Sequence, residues 1–86
     1  MKIQLLDFWA PWCGPCKLMD PIINELEKEF EGKMEVERIN VDEQGQKASD
    51  MGVMSIPTYI IIKDGKEVGR KVGVTKKADL VTLLNS

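Results

Sequence analysis

The sequence holds two cysteines and no histidine. The cysteines lie three positions apart in Trp12-Cys13-Gly14-Pro15-Cys16-Lys17, a spacing that serves either thiol–disulfide exchange or a pair of metal-binding thiolates. An apolar stretch precedes the segment and a helical pattern follows it, so the thiols are expected where a strand hands over to a helix. Free N–H groups and the helix dipole favour negative charge at that end, and the thiolate is the reactive form of cysteine. Cys13, at the tip, is expected to be the exposed, acidified nucleophile. Cys16, one turn further in, is expected to be covered, yet close enough to attack a disulfide formed at Cys13. Gly14 lets the backbone turn and leaves room for an approaching chain, and Pro15 suits a first helical turn, where its missing N–H is harmless. Zinc usually takes four ligands; without histidine or a third cysteine, a metal site would need two subunits. A structural staple across so short a loop would stabilise little. No metal is therefore expected.

The elements that must position this pair are legible from periodicity. Residues 3–8 are mostly apolar and read as a largely buried strand. Met19, Ile23, Leu26 and Phe30 then recur at helical spacing, with Leu18 and Ile22 widening the stripe and Gly32 ending it. Glu25, Glu27, Lys28, Glu29 and Glu31 are its solvated positions, and a kink is expected at Pro21. Residues 34–41 alternate through Met34, Val36, Ile39 and Val41 as a half-buried strand, with one slip near Arg38. Residues 44–51 read as a short helix closed by Gly52, and residues 58–63 as a buried strand. Asp64-Gly65 is a favoured hairpin turn into a strand at 66–72, which Gly73 breaks. Thr75 is expected to cap a last helix that buries Leu80, Leu83 and Leu84. A right-handed β-α-β crossover makes the first two strands parallel, and the hairpin adds an antiparallel pair. The expected architecture is α/β: a four-stranded mixed sheet, β-α-β-α-β-β-α, with helices on both faces.

Composition sets the frame. Eighty-six residues suit one domain, spanning 1–86, and 43% hydrophobic with 30% charged residues is the make-up of an ordinary globular protein. Twelve basic and 14 acidic residues leave a net charge of −2 spread along the chain, with no basic block to suggest nucleic acid. The opening Met1-Lys2-Ile3-Gln4-Leu5-Leu6-Asp7 is interrupted too early for a signal peptide, and no apolar run approaches a membrane span. The expected compartment is the cytoplasm, where a close cysteine pair reads as redox-active or metal-binding.

The stretch Phe8-Trp9-Ala10-Pro11-Trp12-Cys13-Gly14-Pro15-Cys16-Lys17 resembles the active-site segment of the thioredoxin family. Asp7, Pro21, Asn40-Val41-Asp42, Ile56-Pro57-Thr58 and Gly73 follow the same family in order, so the resemblance covers essentially the whole chain. It implies a thioredoxin-like fold and a thiol–disulfide oxidoreductase that reduces protein disulfides without a bound cofactor. Its implied partners are disulfide-containing client proteins and a thioredoxin reductase. Cys13 would be the nucleophile, Cys16 the resolving thiol, and Asp7 a buried carboxylate behind Cys16 that helps move its proton. An acid within an apolar strand is costly enough to favour that role over a merely satisfied polar residue. Arg38 falls where the family usually has a basic residue near that carboxylate, and a surface role fits it equally from the residues alone. Pro57 would be a cis-proline facing the cysteines, the other reading being a trans proline that opens a strand. Trp12, Gly14, Pro15, Met54, Ser55, Ile56, Pro57, Val72 and Gly73 would form the substrate surface, where a client segment pairs with the backbone at 54–56. Trp9 is expected to pack. Met51 and Met54 serve as core fillers as readily as contacts.

Gly-Pro between the cysteines resembles the reducing branch of the family; a histidine there would stabilise the thiolate and make an oxidant. Two alternatives carry other functions. One is a binding module that uses the same surface without chemistry. The other is a glutathione-dependent, glutaredoxin-like reductant, for which neither a tyrosine-containing motif nor a glutathione site is evident. Typical thioredoxins carry a further strand and helix ahead of the segment at which this sequence opens, the strand lying beside the one at 34–41. Residues 34–41 are accordingly expected to form a sheet edge, and Glu35, Glu37 and Arg38 to keep it from pairing, leaving a monomer.

Overall fold

The structure, a computed structural model, describes residues 2–86. Its elements run β1 (Ile3–Trp9), α1 (Gly14–Glu29), β2 (Met34–Asn40), α2 (Gly45–Asp50), β3 (Thr58–Lys63), β4 (Lys66–Val72) and α3 (Lys77–Leu84). The strands form one sheet in the order β2-β1-β3-β4. β1 runs parallel to β2 and antiparallel to β3, and β3 is antiparallel to β4. The four-stranded mixed sheet is thus the one that the pattern of elements implies.

Alternation along the strands divides the core in two. Leu5 on β1 and Tyr59 and Ile61 on β3 join Met34, the α1 residues Met19, Ile23 and Leu26, and Leu80 and Leu84 of α3. Leu6 and Phe8 on β1, Ile39 on β2 and Ile60 on β3 join Ala48 of α2. The sheet therefore carries α1 and α3 on one face and α2 on the other. The slip at Arg38 marks where β2 changes its allegiance: Met34 and Val36 pack with the first cluster, whereas Ile39 packs with the second. Arg38 takes the next position on the α1 face, where an apolar residue would continue the pattern.

The hairpin is closed by Asp64 and Gly65, both in the left-handed region (φ 51° and 83°) as a primed turn requires. α1 continues unbroken through Pro21, whose missing N–H leaves the Lys17 carbonyl without its intrahelical donor. Two expectations fail. Leu18 is 69% exposed, because the stripe set by Cys16, Met19, Ile23 and Leu26 lies about 120° around the helix from it at about 100° per residue. Thr75 does not cap α3, which starts after Lys76 without a side-chain cap. Its hydroxyl instead donates to the Gly73 carbonyl (3.0 Å), and its N–H meets Met19 Sδ (3.4 Å). That tie serves the loop rather than the helix.

β2 is an edge of the sheet, and its charges are engaged: Glu35 pairs with Lys2 (3.9 Å), Glu37 with Lys47 (2.6 Å) and Arg38 with Glu27 (3.3 Å). Charges along an edge oppose docking of another strand. β3 lies inside, bonded on both sides. Amide hydrogen exchange is expected to be faster at 35–39 than at 59–62, measured by NMR under native conditions. Equal protection of the two segments would show that something covers the β2 edge in solution.

Candidate functional site

Four chain segments converge at the C-terminal end of β1. β1 ends against Val41, whose N–H donates to the Trp9 carbonyl (2.9 Å), and the Cys13 N–H closes a tight turn onto the Ala10 carbonyl (3.1 Å). α1 begins at Gly14 with Pro15 in its first turn. Cys13 is the residue that caps it, in extended conformation, and its Sγ accepts the Cys16 N–H at 3.2 Å. Caps are ordinarily oxygen side chains that satisfy a free helix N–H; here a sulfur does so. Cys13 and Cys16 are joined as a disulfide, with Cα atoms 5.3 Å apart.

The expected difference in exposure between the two cysteines is absent: each is 4% exposed. Ala10 and both cysteines form one small cluster, against which Trp9, Val41 and Ile56 pack. Cover from Trp9, Val41 and Ile56 on this cluster, and the inward turn of the capping sulfur, leave Cys13 as buried as Cys16. What distinguishes the two is the hydrogen bond onto Cys13 Sγ.

The loop that supplies Ile56 carries a cis Ile56–Pro57 bond. The Thr58 hydroxyl donates to the Ser55 carbonyl (2.7 Å) and the Gly73 N–H to the Pro57 carbonyl (2.8 Å). Gly73 has a φ of 85°, in the left-handed region, which lets the chain leave β4 at that point. Among the described residues, no backbone hydrogen bond uses the N–H of Met54, Ser55 or Ile56. Met54 is 97% exposed, so it is not a core filler, whereas Met51 packs against the second cluster. Trp12, Val41, Ala48, Val53, Met54, Ser55 and Ile56 line a shallow apolar cavity of about 380 Å³. Gly14 and Pro15 are exposed beside it, while exposed Val72 and half-buried Gly73 stand outside it, tied in through Pro57. The Trp12 indole N–H donates to Asp42 Oδ2 (3.0 Å). The positioning role of Asp42 went unnoticed in the sequence, where it stood only as part of Asn40-Val41-Asp42.

On the α1 face lies Asp7, 3% exposed. In register it stands between Arg38 on β2 and Tyr59 on β3. Burial pushes its carboxyl from the ordinary 3.8 up to about 6; the Arg38 charge holds it down and the Asp20 charge pushes it further up. Burial, followed by the charges of Asp7 and Asp20, likewise raises the Tyr59 hydroxyl. Arg38 does lie close enough to act on the carboxylate, yet its guanidinium is tied elsewhere. Nη2 donates to Asn24 Oδ1 (2.8 Å), and both Nη atoms reach Glu27 Oε1 (3.3 Å).

A family model described as thioredoxin matches residues 1–86. The chain belongs to the thioredoxin family. The thioredoxin of Haemophilus influenzae is 47% identical over 81 residues, covering 94% of this chain and 76% of that protein. The thioredoxin of Bacillus subtilis is 47% identical over 83 residues, covering 96% and 80%. Among solved structures, a mutant thioredoxin from Halobacterium salinarum superposes with a TM-score of 0.88 at 35% identity, covering 96% of this chain and 72% of that one. As a member of the thioredoxin family the protein is a thiol–disulfide oxidoreductase of the disulfide-reducing type, whose partners in general are disulfide-bearing proteins and a thioredoxin reductase. No helix among the described residues is long and apolar enough to cross a membrane.

The displaced titration of Asp7 makes stability depend on pH. A carboxyl whose folded value is raised from 3.8 to about 6 contributes most below the unfolded value, and that contribution is lost as pH rises through 6. Asp7→Asn is expected to be more stable than the parent at pH 8 by about 2–3 kcal/mol, with the two converging near pH 4. Denaturant midpoints across that range check this, and an Asn variant less stable at pH 8 would contradict it.

Proposed function

We propose that Cys13 attacks client disulfides and that Cys16 resolves the product. The reduced Cys13 thiolate attacks one sulfur of a client disulfide, and the other client sulfur leaves as a thiolate and takes up a proton. Cys16 gives its proton to Asp7 and attacks Cys13 Sγ, breaking the mixed disulfide, and the second client sulfur leaves as a thiolate and takes up a proton from solvent. The client gains two electrons and two protons in all, and the protein is left as the Cys13–Cys16 disulfide. A thioredoxin reductase restores the dithiol with two electrons and two protons. The observation that carries this assignment is the Cys16 N–H held on Cys13 Sγ at the start of α1, an arrangement that favours sulfur bearing negative charge.

The client lies across Trp12, Gly14, Pro15, Met54, Ser55, Ile56, Pro57, Val72 and Gly73, pairing in strand fashion with the backbone at 54–56, whose N–H groups make no backbone hydrogen bond among the described residues. Exposed Trp12 and Met54 beside an apolar cavity favour this reading. The protein acts as a single domain and a monomer in the cytoplasm, with Gly-Pro between the cysteines favouring reduction of clients over their oxidation.

Cys13→Ser is expected to abolish reduction of insulin disulfides by the purified protein with NADPH and a flavin-dependent thioredoxin reductase. Cys16→Ser is expected to accumulate mixed disulfides with clients, visible on non-reducing gels. Faster alkylation of Cys16 than Cys13 in the reduced protein near neutral pH would reverse the roles. Full activity in a variant lacking both cysteines would remove them from the chemistry.

A further inference from the structure

On α1, Cys16, Asp20, Asn24 and Glu27 follow one another at spacings of four, four and three, which sets them along one side of the helix. This polar stripe flanks the buried stripe of Met19, Ile23 and Leu26. Its middle residues, Asp20 and Asn24, line a cavity of about 190 Å³ together with Asp7, Trp9 and Arg38. At about 30 Å³ per molecule the cavity has room for several waters. The Trp9 indole N–H is buried with no partner among the described residues, and Asp7 makes no side-chain hydrogen bond among them. Asn24 and Glu27 draw the Arg38 guanidinium along the outer end of the stripe. The buried acid thus has a polar outlet in which the nearest cation is tethered and a second carboxylate stands one turn beyond Cys16.

We infer that Asp20 is a positioning residue for proton traffic at Asp7: its carboxylate, across the cavity that the two residues share, disfavours a second negative charge on Asp7 and marks the path by which the Asp7 proton leaves for water. The inference rests on the proposed role of Asp7 toward Cys16. The charged or titratable groups around Asp7 are Asp20 on α1, Arg38 on β2 and Tyr59 on β3. Tyr59 stays neutral across the working range, since its hydroxyl is raised. Asp20 is therefore the neighbour outside the cysteine pair whose removal lowers the Asp7 titration, and loss of Arg38 raises it, in keeping with the opposite senses in which the two charges act. Asp20 is exposed, so its replacement should leave the fold intact.

The test is the carboxyl titration of Asp7, followed by carbon-13 NMR in the parent, Asp20→Asn, Asp20→Glu and Arg38→Gln, together with the pH profile of insulin reduction. Asp20→Asn is expected to move the Asp7 midpoint, and with it the acid limb of the profile, down by about half a pH unit, the scale of one like charge across a polar cavity. Asp20→Glu is expected to restore the parent midpoint, and Arg38→Gln to move it up. A purely structural role for Asp20 would change the denaturant midpoint without moving either titration. An Asp7 midpoint unchanged in Asp20→Asn would overturn the inference. The titration is read without substrate, so an absence of insulin reduction in the parent would count against the assignment of the cysteines and not against the role of Asp20.

Discussion

A sulfur stands where α1 begins, and the geometry of the site hangs on that one contact. The axis of the helix is set by Met19, Ile23 and Leu26, which are buried against the sheet, so its first turn can lie only at the end of β1. The turn from Ala10 to Cys13 then brings the Cys13 side chain back onto the Cys16 N–H. A neutral thiol is a weak acceptor for such a bond, while a thiolate is a strong one and also meets the positive end of the helix dipole. Packing that has nothing to do with sulfur chemistry thereby supplies a site that favours the reactive form of Cys13.

The second constraint is the acid within β1. A buried carboxylate works against stability unless it is paired, and here the nearest guanidinium is held by Asn24 and Glu27 rather than by Asp7. The sheet can tolerate this because the surrounding face is firmly made, by Leu5, Tyr59 and Ile61 from the strands and Met19 from the helix. Local rules broken inside an otherwise consistent core are usually found where chemistry takes place. The acid in an apolar strand and the slip in the alternation of β2 are two such breaks, and the register Asp7↔Arg38 shows that they are one feature.

Much of this was readable in the chain. The strand at 58–63 comes from a run rich in Thr, Tyr and Ile, the one at 66–72 from the Asp64-Gly65 turn that folds it back, and each break in periodicity, at Gly32, Gly52 and Gly73, falls between elements. What escaped reading depended on side chains meeting across elements. Leu18 looked apolar enough to widen the α1 stripe, but a helix of this width buries only the side that meets the sheet. Thr75 looked like a cap because of its type and position, yet the carbonyl of Gly73 was nearer. Equal burial of Cys13 and Cys16 could not be foreseen, because the small cluster that holds both is covered in part by Val41 and Ile56, which lie far from them in the chain. The Asp42 bond to Trp12 is of the same kind.

The cysteine pair lies between two environments that the sheet keeps apart. The apolar cavity beside Trp12 is built from Val41, Ala48, Val53 and Ile56, all members of or neighbours to the α2-side cluster. The polar cavity beside Asp7 opens on the opposite face, against α1. In the proposed exchange the client strand approaches on the first side and the proton from Cys16 leaves on the second. That separation matters physically. A client peptide excludes water from the sulfurs as it docks, which strengthens the electrostatic terms that favour thiolate transfer, and a proton outlet on the same side would be sealed at the moment it is needed. With the outlet on the far face of the sheet, desolvation of the disulfide and hydration of the acid can coexist, and β1 is the element that makes this possible, since Phe8 and Asp7, adjacent in sequence, point to opposite faces.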